Sequence, residues 1–163
     1  MVDGWLFVLT LVGALGCGLA AGALFAFSSF VMRALRNVPT PVGLAAMQSI
    51  NIEAPTGWFM LGFAGPAVVC VVAIVVAVLQ WSEGYAPYLL AAGIVYLVGV
   101  IGITGGYHQP RNLALLEFDP SSPEGERAWN AYAGPWAFWN HVRVVAGLLA
   151  SGLFVAALYV ACA

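Results

Sequence analysis

Residues 56–80, TGWFMLGFAGPAVVCVVAIVVAVLQ, carry no charged side chain. In a helix, about 20 apolar residues are enough to span the hydrocarbon core of a bilayer. Three other stretches share this length and character: Gly4–Met32, Ala86–Tyr107 and Trp136–Ala161. The last contains His141 and Arg143 near its start, but it remains apolar for a sufficient length beyond them. The sequence therefore predicts an all-α, polytopic membrane protein, a four-helix transmembrane bundle in a single domain over residues 1–163.

The composition of the chain agrees with lipid-facing helices. Of its residues 63% are apolar and only 7% are charged, and the mean hydropathy is +0.95. A soluble domain of this size needs charged side chains over much of its surface. The missing surface charge therefore indicates that the lipid bilayer covers the protein. The net charge of -2, with no basic cluster, also excludes a nucleic acid as a partner.

The three connections between these spans differ in length. The second connection, 81–85, is a tight turn, and both other connections are long. In the first connection Thr40-Pro41 predicts an N-cap and the first residue of a short helix. In the third connection Ser122-Pro123 predicts another helix start, and Gly134-Pro135 ends that helix before the fourth span. We expect two short interfacial helices, one in each long connection.

Basic residues indicate how the chain is oriented. The Arg residues outside the spans all lie in the two long connections: Arg33, Arg36, Arg111 and Arg127. Loops rich in basic residues stay in the cytoplasm. We therefore expect the long connections to be cytoplasmic and both termini to lie outside. The expected location is a bacterial cytoplasmic membrane.

Small residues recur at short intervals along the first and third spans. They are Ala14, Gly18, Gly22 and Ala26 in the first span and Gly99, Gly102 and Gly105 in the third. Small side chains allow helix backbones to approach closely in lipid. We therefore expect a tightly packed bundle, and the same stripes permit a homo-oligomer.

The order of the spans brings the polar residues of the membrane region to one face. These residues are Asn51, Glu53, His108, Asn112, Asn140, His141 and Arg143. An Arg within a span costs roughly 2.5–3.5 kcal/mol near the helix centre and needs a partner. We expect Glu53 to pair with Arg143. Trp136, Asn140 and Arg143 share one stripe of the fourth helix. His141 lies about 100° from Asn140 and is expected to border the same cavity.

Several short elements of the chain resemble the anthrone oxygenase-like family of small four-helix membrane proteins. The most specific is Asn140-His141-Val142-Arg143, which follows Trp136. The other elements are Phe27 to Met32, Ala46-Met47-Gln48, Asn51 ahead of Pro55, and His108 to Leu113. The resemblance covers nearly the whole chain, and one departure is His108, where the family pattern often has Asn. It implies a four-helix membrane fold and, as in some relatives from polyketide pathways, oxidation of an anthrone to an anthraquinone by dioxygen.

This resemblance implies a membrane-embedded oxygenase that acts on a small, lipophilic aromatic substrate. The candidate catalytic residues are His141, His108, Arg143, Asn140 and Asn112. An anthrone has an acidic C–H group, and its loss of a proton gives an enolate. Either histidine is a candidate base for this proton, and the Arg and Asn side chains are candidates to hold the enolate oxygen. The candidate substrate-binding residues are Asn51, Glu53, Trp136, Trp139 and Phe138. The resulting carbanion reacts with dioxygen directly, so this route needs no cofactor, and the sequence has no cofactor motif.

Two alternatives follow from the same residues. His108, His141 and Glu53 are the residue types of a two-histidine, one-carboxylate site that would hold iron or copper for oxygen chemistry. The second alternative is a non-enzymatic bundle, a transport or accessory subunit whose polar cluster only ties helix ends together. A transporter would show broken helices near the bilayer midplane or repeated halves, and neither is visible in the sequence.

Overall fold

The computed structural model describes residues 4–163, which are helical over most of their length and contain no strand. Their helices are α1 Gly4–Asn37, α2 Thr40–Glu53, α3 Gly57–Leu79, α4 Ala86–Leu115 and α5 Pro123–Cys162. All but α2 are long and apolar enough to cross a membrane. The predicted all-α membrane fold with four spans is therefore confirmed. Residues 1–3 of the predicted domain lie outside the described part, and sidedness and oligomeric state stay predictions.

The four long helices form a ring in chain order. Each packs against the next one, and α5 returns to pack against α1 in the most extensive contact of the bundle. α3 and α4 contact each other mainly through the half of α4 that follows the tight turn, and they diverge towards the other end. This divergence leaves space between the helices at the end of the bundle where α2 lies.

Small residues bring α1, α4 and α5 close together. The backbone of Gly147 in α5 is so near α1 that an added Cβ would lie 2.9 Å from the Cβ of Ala21. A Cβ on Gly99 of α4 would overlap the Cβ of Ala146. Because lipid provides no hydrophobic drive between helices, the dispersion contacts made at such close approach hold the bundle together.

The predicted stripes of small residues are only partly at helix contacts. The carbonyl of Ala14 accepts a hydrogen bond from the Ser151 hydroxyl of α5 at 2.8 Å, and Gly18 faces the same serine. Gly22 and Gly105, in contrast, have open space where a Cβ would be. The prediction is wrong for these two residues, because a four- or three-residue repeat drifts around a helix that has 3.6 residues per turn.

α1 and α4 continue beyond the predicted spans and contain wider, π-helical turns. These turns are Phe27–Val31 in α1, and Leu97–Gly102 and Thr104–His108 in α4. A π turn shifts the hydrogen-bond register, so a backbone carbonyl near its junction with the α-helix loses its usual donor. The turn in α1 and the second turn in α4 lie at the end of the bundle that carries the polar residues.

Of the two predicted short helices, one is a separate helix and the other is part of α5. α2 is the short helix of the first connection, and its N-cap position is occupied by Pro39 rather than by Thr40. The helix of the third connection is not separate, because α5 runs without a break through Gly134-Pro135. Its start is as predicted, since the Ser122 hydroxyl accepts a hydrogen bond from the Gly125 N–H at 2.9 Å.

A second hydrophobic cluster explains why α5 continues through Pro135. Proline removes one hydrogen bond and strains one helical turn. The residues on either side, Tyr132 and Trp136, are buried in a cluster with residues of α2 and with Met32 of α1 and Leu115 of α4. Their packing fixes the helix on both sides of the proline. Burial of these aromatic side chains outweighs the helix-breaking tendency of the Gly-Pro pair.

We expect Gly147→Ala to lower the free energy of unfolding by about 1–3 kcal/mol, because the new methyl group forces α5 away from α1. Gly152→Ala in the same helix is the matched control, since nothing lies near the position of its added Cβ. Alanine has the higher helix propensity, so the control should be at least as stable as the wild type. Unfolding of the purified protein in detergent measures both variants. Equal stability of the two would contradict the close α1–α5 contact.

Candidate functional site

A cavity of about 520 Å³ lies at the polar end of the bundle, between α2 and the four long helices. All five helices contribute to its wall. The largest apolar side chains that line it are Phe27, Met47, Phe59, Met60, Phe63 and Trp136. The polar residues that line it are Asn51, Thr104, His108, Gln109, Asn112 and Arg143. A mostly apolar chamber with a few convergent polar groups is the usual form of a small-molecule site.

The cavity reaches along the bundle and opens between α3 and α4. On α3 its wall extends from Phe59 to Val68, roughly 13 Å along the helix axis. Met60 and Val68 line the cavity and are also exposed at the outer surface of the bundle, by 43% and 64%. In a membrane protein this outer surface faces lipid. A lipid-soluble molecule therefore has a route into the chamber from the hydrocarbon.

Arg143 places a buried positive charge beside this cavity and is only 5% exposed. Its Nη2 donates to Asn140 Oδ1 at 2.6 Å and its Nη1 to Thr104 Oγ1 at 3.0 Å, while Nε has no hydrogen-bond partner. Within residues 4–163 no carboxylate forms an ion pair with this guanidinium. A buried cation without a counterion is costly in a bilayer. The charge therefore favours an anionic group in the adjoining cavity.

The predicted pairing of Arg143 with Glu53 is wrong. Glu53 lies at the C-terminal end of α2, is exposed, and does not line the cavity, although its neighbours Asn51 and Ala54 do. On a helix Glu53 is about 200° around from Asn51, so the two side chains point to different sides. The cation is stabilised by neutral acceptors instead, an amide oxygen and a hydroxyl.

His108 is the buried histidine of the cavity and is 1% exposed. Its Nε2 lies 3.3 Å from the carbonyl oxygen of Trp136. Since a carbonyl only accepts, this hydrogen bond assigns the ring proton of the neutral histidine to Nε2. Nδ1 then carries a free lone pair, and it has no hydrogen-bond partner in the described chain. This is the arrangement of a proton acceptor.

Unsatisfied buried polar groups converge on the cavity. Among residues 4–163, the buried side-chain atoms without a hydrogen-bond partner are Asn51 Nδ2, His108 Nδ1 and Arg143 Nε. All three residues line the same chamber. Native proteins leave few such groups unpaired, and each one costs about 1–3 kcal/mol. Their presence at one cavity indicates a ligand site whose occupant supplies the missing partners.

Asn140 holds α5 against α1 and does not line the cavity. Its Nδ2 donates to the Leu24 carbonyl and to Ser28 Oγ, both at 2.8 Å, and its Oδ1 accepts from Arg143. Asn140 therefore orients the guanidinium of Arg143, which makes it a positioning residue.

His141 lies on the other side of Asn140 from the cavity. It is exposed, and its Nδ1 is 2.7 Å from Ser28 Oγ. The two residues from His141 to Arg143 turn the helix by about 200°, so the two side chains do not border one chamber. The expectation that they would do so is wrong. The predicted catalytic residues that do line the cavity are His108, Asn112 and Arg143.

Asn112 joins α4 to α5 at the cavity wall. Its Oδ1 accepts hydrogen bonds from Tyr132 Oη at 2.8 Å and from Trp136 Nε1 at 3.0 Å. Asn112 also lines the cavity, and its amide nitrogen makes no hydrogen bond within the described residues. Asn112 thus fixes the indole of Trp136, whose ring also meets that of His108 edge-on, with centroids 5.0 Å apart.

The aromatic part of the cavity differs from the predicted set. Trp136 lines the chamber, but Trp139 packs on Tyr107 with ring centroids 5.2 Å apart, and Phe138 is 61% exposed. Phe138 is about 200° around α5 from Trp136, which turns it outwards. The other aromatic faces come from α1 and α3, which the sequence did not place beside these residues: Phe27, Phe59 and Phe63.

The predicted metal ligands do not come together. His108 is inside the cavity, His141 is beyond Asn140, and Glu53 is exposed on α2. Over the described residues, 4–163, no three His, Cys, Asp or Glu side chains are grouped in a way that could hold a metal ion. These residues therefore do not form the two-histidine, one-carboxylate arrangement.

Comparison with known proteins assigns the chain to a family. The family model for anthrone oxygenase matches residues 56–153, more than half of the chain. The chain belongs to the anthrone oxygenase family. No curated protein and no solved structure matches it. The resemblance predicted from the sequence is therefore confirmed.

The anthrone oxygenase match covers α3, α4 and most of α5, and it includes both His108 and Arg143. α1 and α2 lie outside the matched residues, yet they complete the cavity. Their contributions to its wall are Leu24, Phe27, Met47, Ile50 and Asn51. The chamber of this family member is thus built by helices both inside and outside the matched region.

Two hydroxyl groups of the site were not among the predicted residues. Thr104 accepts from Arg143, and Ser28 lies between Asn140 and His141. Thr104 is one helical turn before His108, and this spacing within an apolar span is the signal that points to it. The sequence points to Ser28 only weakly, through its place in the Phe27 to Met32 segment that resembles the family. Its hydrogen-bond partners lie on a helix distant in the sequence, so local spacing does not reveal them.

We expect Asn140→Ala to lower the free energy of unfolding by about 1–3 kcal/mol, because the Leu24 carbonyl and the Arg143 guanidinium both lose a buried partner. Phe138→Ala on the same helix is the control, since that side chain is largely exposed to lipid. Unfolding in detergent measures both variants. Wild-type stability of Asn140→Ala would show that this side chain does not hold α5 to α1.

Proposed function

We propose that this member of the anthrone oxygenase family is a membrane-embedded oxygenase that oxidises a small apolar aromatic, anthrone-like substrate. The observation that carries the proposal is the meeting of an uncompensated buried cation, Arg143, and a free proton acceptor, His108 Nδ1, at one apolar cavity. A base and a cation are the groups needed to form an enolate and to stabilise it. The proposal gives these two roles to His108 and Arg143.

The size and lining of the cavity support a planar aromatic substrate. A volume of about 520 Å³ is within the range of small-molecule sites. Phe59, Phe63 and Trp136 offer aromatic side chains to a ring system, and the small residues Ala64 and Gly105 leave room between them. An anthrone is flat and apolar and partitions into lipid. It would therefore reach the mouth between α3 and α4 from the bilayer.

The proposed reaction starts with a proton transfer. An anthrone has a methylene group opposite its carbonyl, and loss of one methylene proton gives an enolate conjugated through the rings. His108 Nδ1 accepts this proton, and negative charge develops on the carbonyl oxygen. Arg143 holds that oxygen through N–H donors that Thr104 and Asn140 do not use. Such preorganised donors act strongly where water is excluded.

Dioxygen is the oxidant of the proposed reaction. It takes electrons from the enolate carbon and forms a C–O bond there, and a proton returned by His108 completes a hydroperoxide. Loss of water, which removes the second methylene hydrogen, breaks the O–O bond and leaves a second carbonyl. One oxygen atom is retained in the quinone and the other leaves as water. Atoms and electrons balance without any further reductant.

A non-enzymatic bundle is the second candidate function. It is favoured by Asn140 and Asn112, whose hydrogen bonds tie α5 to α1 and to α4 as a structural network would. A structural network, however, satisfies its own members. In this chain the residues that border the cavity retain unpaired atoms. The oxygenase is therefore the function that the site supports better.

Oxygen uptake by the purified protein, with an anthrone as substrate, tests the proposal. Wild-type protein should raise uptake above the uncatalysed rate and yield the anthraquinone. His108→Ala should lower kcat by about 10²- to 10⁴-fold, the usual contribution of a general base. His141→Ala is the comparison variant, and it should have a much smaller effect because His141 lies outside the cavity.

Several outcomes of this experiment would contradict the proposal. Activity that His141→Ala abolishes and His108→Ala retains would show that the base is wrongly assigned. Absence of any acceleration by folded wild-type protein would favour the non-enzymatic bundle. Elemental analysis of the active sample tests the cofactor-free route, since activity in protein free of iron and copper supports it.

Filling the cavity gives an independent test of where the substrate binds. Gly105 lines the chamber, the adjacent Gly106 does not, and both have open space at the Cβ position. Gly105→Leu should lower kcat/KM for the anthrone by about 10-fold or more, because the added side chain occupies the substrate's volume. Gly106→Leu should leave the kinetics close to those of the wild type. Equal effects of the two variants would place the substrate elsewhere.

A further inference from the structure

A second concavity, of about 370 Å³, lies where α1 and α5 meet, beyond Asn140 from the cavity. α1 lines it with Ser28, Met32, Arg33, Arg36 and Asn37, and α5 lines it with Ala137 and His141. We call this concavity the basic groove. No carboxylate is among its described lining residues. The groove therefore combines two fixed positive charges with neutral polar groups.

The two arginines of the basic groove lack an anion. Arg33 and Arg36 are three residues apart and project from the same side of α1. Both are exposed, and within the described chain neither forms an ion pair. Arg33 Nη2 donates to the Ser29 carbonyl at 3.1 Å, which holds this guanidinium close to the helix. Two like charges this near repel each other, and one anion between them would remove that repulsion.

The opposite side of the groove carries an oriented histidine. His141 Nδ1 and Ser28 Oγ are 2.7 Å apart, which fixes the imidazole ring against α1. Its Nε2 makes no hydrogen bond in the described residues, so this edge of the ring is available to an occupant of the groove. Asn37, at the end of α1, adds an exposed amide.

The length of α1 places the groove among lipid headgroups. From Trp5 to Met32 this helix is uncharged, and at 1.5 Å per residue that length is roughly 40 Å. A bilayer with its headgroup regions is about 40–45 Å thick. Arg33 and Arg36 follow this uncharged length directly. They therefore lie at the depth of the phosphate groups at one membrane surface.

We propose that the basic groove binds the phosphate group of an anionic phospholipid, with Arg33 and Arg36 as cationic ligands and Asn37 and His141 as hydrogen-bond donors. Guanidinium groups match phosphate oxygens in bidentate geometry. The C-terminal end of α1 carries partial negative charge, so the arginines and not the backbone hold the anion. Basic pockets between membrane helices are known to take such headgroups. This site is independent of the oxygenase reaction proposed above.

Native mass spectrometry of the purified full chain in detergent tests this site. The protein is titrated with phosphatidylglycerol and, separately, with phosphatidylcholine at the same concentrations. We expect one phosphatidylglycerol to bind with an apparent affinity several-fold higher than that of phosphatidylcholine. Arg33→Gln/Arg36→Gln should lose this preference. The matched control Arg111→Gln/Arg127→Gln removes the same charge from α4 and α5 and should keep this preference.

A second arm uses inorganic phosphate at constant ionic strength, with thermal unfolding in neutral detergent as the readout. Stabilisation that Arg33→Gln/Arg36→Gln abolishes would support the same phosphate site with free phosphate as its occupant. If the Gln variant does not fold, Arg33→Lys/Arg36→Lys replaces it and should retain a weakened preference, because lysine lacks the bidentate fork. Equal loss in the two double Gln variants overturns the proposal. So does wild-type protein that shows neither lipid preference nor a response to phosphate.

Discussion

The guanidinium of Arg143 is the group on which the rest of the polar end depends. Inside a span such a charge costs roughly 2.5–3.5 kcal/mol near the helix centre, and no carboxylate of the described chain offsets it. It is stabilised by the amide oxygen of Asn140 and the hydroxyl of Thr104. Each of these side chains is itself fixed by a backbone carbonyl, of Leu24 and of Val100 respectively. One charge thus links α1, α4 and α5.

The carbonyls that this linkage uses lie in or next to π turns. Asn140 donates to the Leu24 carbonyl just before the π turn of α1, and Thr104 donates to a carbonyl within the first π turn of α4. In lipid every backbone group has to find a partner inside the protein. The Asn140 and Thr104 side chains add such partners at these two carbonyls. The hydrogen bonds of Asn140 and Arg143 at these turns fix how α1, α4 and α5 are rotated relative to one another.

The spans could be predicted from the sequence because the bilayer sets their length and their apolar composition. The tight turn at 81–85 separates the second and third spans, and the order of the spans then determines which polar residues lie at the same membrane face. Distances between segments are not encoded in this way. Opposite charges at one face predict a pair of Arg143 and Glu53, yet the rotation of α2 turns Asn51 towards the cavity instead. Pro135 is a helix breaker by local chemistry. Only the burial of its aromatic neighbours in tertiary contacts explains why α5 continues.

The segment Asn140 to Arg143 is a single motif in the sequence, but the rotation of α5 turns its side chains to different surroundings. Since each position turns the helix by about 100°, Asn140 meets α1, His141 meets the basic groove and Arg143 meets the cavity. Asn140 is bonded both to Ser28, which holds His141, and to Arg143. Asn140 therefore connects the walls of the two concavities. The same bonds set the rotation that turns His141 away from the cavity, which is why the proposed base is the histidine of α4, His108, and not the one beside the arginine.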